Sequence, residues 1–163
     1  SFAASTSSVT IDAVKGTATG ADTGPDTFQG FERFEGGAGN DTFIVGKDAT
    51  HLAGGEGHDT FDILTDGITA SAPVRHVIED FQVGDRVEMS MYDIFEAGDS
   101  SPDFLGQMNG DALAPDDAVP VKFRTDDATL KTYIEADFDH DNSYEVTVEL
   151  DGHHNLHLFH LSA

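Results

Sequence analysis

The sequence predicts an all-β protein. We expect a short parallel β-roll from about residue 9 to residue 75, capped by a mostly antiparallel β-region over residues 76–163. Two observations favour this fold. A glycine- and aspartate-rich motif recurs at an 18-residue interval, and the flanks of residues 137–142 alternate apolar and polar side chains as half-buried strands do. The polar segment 97–119, with its glycines and prolines, reads as a surface excursion between the two parts.

Composition limits the partners that this chain can have. Its 163 residues suit one domain, and its 31 acidic against 8 basic residues give a formal net charge of −23. Such a chain repels itself, so nucleic acid and anionic membranes are poor partners and divalent cations are good ones. Without cysteine it has no disulfide and no thiolate metal site. No apolar run is long enough to span a bilayer and no signal peptide is recognisable, so we expect a piece of a larger polypeptide.

The repeated motif has the form G-x-D-T-F. It occurs at residues 24–28, 39–43 and 57–61, so its aspartates are separated by 15 and then by 18 residues. Residues 36–44 and 54–62 match every fixed position of the nonapeptide G-G-x-G-x-D-x-U-x, in which U is apolar. The nonapeptide between them, residues 45–53, lacks the motif, so we expect no ion of this type at the opposite edge.

The spacing has a physical interpretation. Six glycine-rich residues form a turn, and three form a short strand whose central Phe43 or Phe61 points inward. Two nonapeptides complete one coil, which places Asp41 and Asp59 about 4.8 Å apart on one edge. Their carboxylates repel each other, and a calcium ion, which takes about 6–8 oxygen ligands, relieves the repulsion. The alternative is a pair of glycine-rich hairpin turns.

These residues resemble the C-terminal part of an RTX protein, the hemolysin-type calcium-binding repeats exported by bacterial type I secretion. Residues 9–35 resemble degenerate lead-in coils, residues 36–62 the repeats, residues 76–90 the segment after the last repeat, and residues 131–152 the closing hairpin. The last stretch is also similar to the R-modules of secreted mannuronan C5-epimerases, and more loosely to the C-terminal domains of serralysin-type proteases.

The resemblance implies three calcium sites. The first would use Gly30 and Glu32 with Gly37, Gly39 and Asp41. The second would use Gly36, Ala38 and Asp41 with Gly55, Gly57 and Asp59. The third would use Gly54, Glu56 and Asp59 with a downstream acid, either Asp80 or Asp85.

A separate acidic segment, DFDHDN, places Asp137, Asp139 and Asp141 at alternate positions. An EF-hand loop has this spacing but needs glycine at its sixth position and glutamate at its twelfth, where this chain has Asn142 and Val148. We therefore predict an acidic β-hairpin tip, either a calcium site weaker than those of the coils or a solvated turn.

Two further groups of residues are candidates for binding. Lys122, Arg124 and Lys131 are predicted on outward strand faces, either as a contact for an anionic polysaccharide such as alginate or as ordinary strand surface. The histidines of residues 153–160 fall on both faces of a predicted strand, which favours surface histidines over a zinc site.

The sequence contains no nucleophile elbow, zinc-protease motif, phosphate-binding loop or cysteine nucleophile, so we expect no catalytic activity in this chain. The expected function is a secreted, extracellular calcium-binding module that folds on meeting calcium outside the cell, with an accessory carbohydrate-binding role. The alternatives are a folding, secretion or adhesin module with no sugar site, or a fragment of a secreted lyase, epimerase or protease.

Overall fold

In a computed structural model of the chain, the structure describes residues 1–89, 92–96, 104–107, 121–139 and 141–160. These residues form fifteen strands and no helix, so the predicted all-β class is confirmed. Nothing in the described ranges is a helix of the length and apolarity needed to cross a bilayer.

The strands form two sheets. In spatial order the nine-stranded sheet contains β11 (Phe104–Gln107), β15 (Leu156–His160), β10 (Tyr92–Glu96), β9 (Arg86–Met89), β7 (Thr60–Ile63), β5 (Thr42–Val45), β1 (Val9–Asp12), β2 (Thr17–Gly20) and β3 (Gly24–Thr27). The six-stranded sheet contains β12 (Val121–Asp126), β13 (Lys131–Ala136), β14 (Val146–Asp151), β8 (Val74–Ile78), β6 (His51–Ala53) and β4 (Arg33–Glu35).

From β4 to β9 the chain crosses from one sheet to the other at every step. β5, β7 and β9 pair in parallel in the nine-stranded sheet, and β4, β6 and β8 pair in parallel in the six-stranded sheet. The register sets Thr42 opposite Thr60 and Phe43 opposite Phe61, so residues 18 apart are neighbours, as the repeat predicts. The next step is longer, because a loop between β7 and β8 sets Thr60 opposite Arg86.

The interior is a single apolar core with side chains from both sheets. Phe43 and Phe61 are fully buried, and their rings stack with centroids 5.2 Å apart and an interplanar angle of 14°. The inward orientation predicted for both is confirmed. Phe81, in the connection from β8 to β9, packs against Phe61 with centroids 6.3 Å apart. These stacked rings fix the spacing of successive turns at the edge of the sheets.

The N-terminal segment differs from the expected lead-in coils. β1, β2 and β3 pair antiparallel within the nine-stranded sheet, although β1 also pairs in parallel with β5. The physical reason is the turn after β1, where Gly16 has a φ of +68° and its carbonyl accepts a hydrogen bond from the Phe28 amide (2.9 Å). This turn reverses the chain inside one sheet instead of sending it to the other.

The expected boundary at residue 75 falls inside β8, and parallel pairing continues as far as β9. Beyond it, β9, β10, β15 and β11 are antiparallel neighbours, as are β12, β13 and β14. β14 pairs in parallel with β8 and so joins the C-terminal hairpin to the stacked strands. Of the predicted excursion over residues 97–119, only β11 belongs to the described residues.

The prediction of surface histidines is wrong for His157, which is 7% exposed because β15 lies between β10 and β11. His153 is exposed, with its ring 3.6 Å from the Asp127 carboxylate. His154 packs edge-on against the Phe81 ring with centroids 5.3 Å apart. The side chain of His160 lies outside the described part of the chain.

Candidate metal centre

The two motif turns lie at one edge of the paired sheets, together with a third turn. Residues 36–41 connect β4 to β5, residues 54–59 connect β6 to β7, and residues 79–85 connect β8 to β9. Each turn leads from the six-stranded to the nine-stranded sheet. The turns lie side by side because β4, β6 and β8 are neighbours in the first sheet and β5, β7 and β9 are neighbours in the second. We call these three stacked segments the turn edge.

Three buried aspartates follow one another along the turn edge, and we call them the aspartate ladder. Asp41 is 1% exposed, and Asp59 and Asp85 are fully buried. Each accepts a hydrogen bond through Oδ1 from a backbone amide one strand away: Asp41 from Val9 (2.7 Å), Asp59 from Asp41 (2.7 Å) and Asp85 from Asp59 (2.8 Å). The ladder therefore brings three carboxylates into successive positions inside the protein.

The second oxygen of Asp59 differs from those of its neighbours. Oδ2 of Asp41 accepts the Gly37 amide (2.6 Å), and Oδ2 of Asp85 accepts the Gln82 amide (3.0 Å). Oδ2 of Asp59 is buried and has no hydrogen-bond partner among the described residues.

The amide of Gly55, which corresponds to that of Gly37, is used elsewhere. It donates to Oδ2 of Asp80 (2.9 Å), while the Gly54 amide donates to Oδ1 of the same carboxylate (2.8 Å). A buried acceptor without a donor costs about 1–3 kcal/mol, and more when it is charged. The free oxygen of Asp59 is therefore a position where a cation or a proton is favoured.

The pKa values follow from this arrangement. Burial raises the pKa of Asp59 to about 7, and the charges of Asp85, Asp41 and Asp80 add to the increase against the lowering effect of the Asp41 amide. Burial also raises the pKa of Asp85, opposed by its two backbone hydrogen bonds. In both groups burial outweighs the hydrogen bonds that favour the charged form of the carboxyl.

The motif glycines are needed because other atoms of the turn edge lie where a side chain would begin. A Cβ atom at Gly36 would collide with Oδ2 of Asp41, and one at Gly54 would collide with Oδ2 of Asp59. Gly55 has a φ of +96°, and a Cβ there would collide with the carbonyl oxygen of Gly37 in the neighbouring turn. Glycine is thus required where a carboxylate or a neighbouring turn packs directly on the backbone.

The remaining predicted turn ligands lie on the same edge. Ala38 and Glu56 are exposed, and with Asp80 they line a groove of about 450 Å³. The Gly37 carbonyl accepts the Glu56 amide (2.9 Å), and Gly39 faces Gly57 of the next turn. The structure thus brings together the residues predicted for the second and third sites, including both acids offered for the third.

Gly30 and Glu32, predicted for the first site, are not brought to the turn edge. Glu32 precedes β4, whereas Gly37 and Asp41 follow it. At about 3.3 Å per residue the strand separates its two ends by roughly 10 Å. The reason is the repeat itself, because nine residues span half a coil and end at the opposite edge.

Gln82 was missed by the sequence analysis. Its side-chain Nε2 donates to the carbonyl of Gly55 (2.8 Å) and lies 3.5 Å from that of Gly57. Two turn carbonyls therefore converge on one polar group beyond the second repeat. The third turn does not match the repeat motif, so only the position of Gln82 in that turn could have indicated its role.

The acidic segment predicted at residues 137–142 lies at the tip of the β13–β14 hairpin. One carboxylate oxygen from each of Asp137, Asp139, Asp141 and Glu145 lies within 4.8 Å of the others. Asp139 and Asp141 are exposed, whereas Glu145 is 4% exposed. The EF-hand pattern was compared at the first, third, fifth, sixth and twelfth loop positions, so it did not point to Glu145 at the ninth.

The predicted basic residues share the outward face of β12 and β13. Lys122 Nζ lies 3.4 Å from Glu135 and over the Tyr144 ring, 4.0 Å from its centroid. Arg124 lies 3.2 Å from Glu135 and 4.0 Å from the Tyr133 ring centroid. Lys131 forms ion pairs with Glu149 and, at 2.9 Å, with Asp151. All three cations are thus paired with carboxylates.

No family model matches the chain, and none of the curated proteins matches it.

Proposed function

We propose that this chain is a non-catalytic calcium-binding module of the RTX type, whose parallel strands form a β-roll with calcium along its turn edge. The observation that carries the proposal is the aspartate ladder, with the buried and unpartnered Oδ2 of Asp59 at its centre. A bound divalent cation supplies the positive charge that the surrounding side chains do not.

The donor set fits calcium. Asp41, Asp59 and Asp80 offer carboxylate oxygens, and Gly55 and Gly57 offer backbone carbonyls, which here face the Gln82 amide. Calcium takes about 6–8 oxygen ligands in flexible geometry, and carboxylates with carbonyls are its ordinary ligands. The absence of cysteine from the sequence removes the thiolates that zinc and copper prefer.

The net charge of −23 links calcium to folding. Where calcium is scarce, the ladder carboxylates would be brought together without a counter-ion, which opposes folding. Where calcium is plentiful, its binding energy adds to the stability of the folded state, because the unfolded chain has no assembled site. This supports a module of an exported bacterial protein that stays unfolded inside the cell and folds outside it.

The experiment is calorimetric calcium titration with far-ultraviolet circular dichroism, on the wild type, Asp59→Asn and the control Asp66→Asn. Asp66 is exposed in the loop between β7 and β8, so its substitution removes the same charge away from the turn edge. We expect chelator to unfold the wild type and calcium to restore its strands, Asp59→Asn to lose at least one ion, and Asp66→Asn to behave as the wild type. A wild-type spectrum and titration that ignore calcium would overturn the proposal.

A second candidate function is binding of an anionic polysaccharide such as alginate. It is favoured by the position of the cations, since five of the eight basic residues lie on the outward face of the six-stranded sheet. They are Arg33, Arg75, Lys122, Arg124 and Lys131. Their carboxylate partners would have to be exchanged for those of the polysaccharide, which argues for weak, salt-sensitive binding.

The test is electrophoretic retardation in a gel containing alginate and calcium. We expect the wild type to be retarded, and the double variant Lys122→Glu with Arg124→Glu to migrate as in a gel without alginate. Equal mobility of the wild type in both gels excludes this role and leaves a folding or secretion module.

A further inference from the structure

We propose that the tip of the β13–β14 hairpin is a calcium site separate from the turn edge, with the buried Glu145, the half-buried Asp137 and the exposed Asp139 and Asp141 as its ligands. The inference does not rest on the proposed function, because none of these residues belongs to the repeats.

The decisive observation is the state of Glu145. It is 4% exposed, and its Oε2 accepts a hydrogen bond from the Phe138 amide (2.8 Å). Its Oε1 is buried and has no hydrogen-bond partner among the described residues. A carboxylate oxygen buried in this way costs several kcal/mol unless it is paired with a positive charge.

Among the described residues, the surroundings of Glu145 supply further carboxylates and no paired cation. Its carboxylate lies within 4.8 Å of oxygens of three aspartates, each of which would add negative charge. The nearby cation, Lys122, pairs with Glu135 and lies over the Tyr144 ring. Four carboxylates at this separation repel one another and a buried oxygen among them is unpaired, so a small multivalent cation is the partner that satisfies the whole group.

The order of ligands along the chain suits calcium. The aspartates occupy the first, third and fifth positions of the loop, and Glu145 occupies the ninth. Asn142, at the sixth, has a φ of +68°, the left-handed conformation that turns the loop back toward β14. Four carboxylates on a short loop leave room for backbone or water oxygens, which suits the larger and less rigid coordination of calcium better than the octahedron of magnesium.

The position of the site gives it a role. β14 follows the loop directly and pairs in parallel with β8, the last strand of the stack in the six-stranded sheet. A cation at the tip would fix the start of β14 and therefore the strand that closes this stack. We infer that the hairpin ion stabilises the closing sheet independently of the ions at the turn edge.

The test uses terbium(III), which binds oxygen-rich calcium sites and emits when a nearby tyrosine is excited. Tyr144 is adjacent to Glu145 in sequence, whereas residues 30–90 contain no tyrosine, so excitation through Tyr144 reports on the hairpin tip. We expect tyrosine-sensitised emission from the wild-type chain, displaced by calcium. Tyr144→Phe should abolish most of the emission and leave the number of calcium ions in calorimetry unchanged.

The variants that decide are Asp139→Asn and Glu145→Gln. Asp139 is exposed, so its substitution leaves the fold intact, and Asp127→Asn in the β12–β13 turn is the matched control. We expect each ligand variant to weaken terbium binding at least tenfold and to lower the calcium count by one, with no change in the control. In chelator, Glu145→Gln should need no more trimethylamine N-oxide to refold than the wild type does, because the unpaired charge is gone.

The outcomes separate the two proposals. If Asp59→Asn loses ions while Asp139→Asn titrates as the wild type does, the turn edge binds calcium and the hairpin inference is overturned. If only Asp139→Asn loses an ion, the hairpin site stands and the repeat proposal fails. Absence of sensitised emission from the wild type, with an unchanged ion count in Asp139→Asn, also rejects the hairpin site.

Discussion

At the scale of single residues, the behaviour of Asp59 follows from one unpaired oxygen. Its Oδ1 accepts the Asp41 amide, but its Oδ2 is buried without a partner among the described residues. Neutralising the side chain should therefore lower the stability of the folded state when a cation is bound and raise it when no cation is present. This sign change separates a metal ligand from a residue that only supports the fold.

The first prediction concerns Asp59→Asn. In chelator we expect the variant to be more stable than the wild type by about 1 kcal/mol, because a buried unpaired charge is replaced by a neutral amide of similar shape. In calcium we expect it to be less stable, because a ligand is lost. Because the wild type is expected to be unfolded in chelator, the measurement there is the midpoint of refolding by trimethylamine N-oxide, and in calcium it is urea unfolding. A variant that is less stable in both would show that Asp59 acts only through its hydrogen bond to Asp41.

The second prediction concerns pH in chelator. The pKa of Asp59 is raised to about 7, whereas an unfolded aspartate titrates at about 3.9. The folded state therefore holds a proton that the unfolded state has released, and this contribution to stability is complete below about pH 4 and lost as the pH rises through 7. We expect wild-type stability to fall between pH 5 and 8 more steeply than that of Asp59→Asn, as measured by the midpoints of refolding with trimethylamine N-oxide in chelator. Equal slopes would show that Asp59 does not carry this proton.

His76 gives a third prediction with the opposite sign. It is fully buried, its Nδ1 lies 2.8 Å from Thr50 Oγ1, and burial lowers its pKa to about 4. The unfolded chain binds a proton below about pH 6.5, so the stability that neutral His76 provides is present above that pH and lost as the pH falls toward 4. We expect His76→Gln to lessen the loss of stability between pH 6.5 and 4.5. A loss as large as that of the wild type would place its cause in other groups.

At the scale of elements, the repeat predicted the turn edge because its physics is local. Glycines that admit a carboxylate, and a phenylalanine that enters the core, recur every 18 residues, so strand, turn and stacking could all be derived from two copies. The antiparallel β1–β3 segment and the pairing of β14 with β8 could not be derived from the sequence. Both depend on contacts between distant segments, and no residue type marks them in the sequence.

In the candidate site, too, the residues marked by the repeat could be predicted and those placed by long-range contacts could not. Asp41 and Asp59 are marked by the motif, whereas Asp85 reaches the equivalent position only after a loop that lengthens the interval to 26 residues. Its place became certain with the register of β7 and β9. Gln82 and Glu145 each take part through a single hydrogen bond that depends on the folded structure, and no periodic pattern in the sequence predicts it.

The fourth prediction tests the packing of a turn against its aspartate. In Gly54→Ala the new methyl group would meet Oδ2 of Asp59, and overpacking of this kind costs about 1–3 kcal/mol. We expect this loss of stability in calcium, together with weaker calcium binding. The control is Gly46→Ala, whose Cβ would lie 3.1 Å from the partly exposed side chain of Val14 and at an ordinary 3.9 Å from the Leu64 carbonyl, with an effect within about 0.5 kcal/mol. Equal effects of the two substitutions would reject the close packing.

At the scale of the whole molecule, the net charge opposes compaction of the chain. The net charge of −23 is spread over a chain of 163 residues, and the ladder concentrates three of the negative charges inside it. Repulsion between surface charges is screened by any salt, because the Debye length falls from about 10 Å at 0.1 M to about 3 Å at 1 M. Repulsion inside the turn edge is screened much less, because the diffuse salt atmosphere lies outside the protein.

The fifth prediction follows from that difference. In calcium we expect small-angle X-ray scattering to give a radius of gyration of about 15 Å, and in chelator a value approaching about 42 Å, the sizes of folded and unfolded chains of this length. One molar potassium chloride in chelator should contract the chain without restoring the β-spectrum, since screening removes the surface repulsion but supplies no ligand-bound cation. If potassium chloride restores both size and spectrum, general screening is sufficient and the buried carboxylates need no specific ion. If only calcium restores both, the interior charges of the turn edge control folding, and the energy that stabilises this protein comes from the ions it binds.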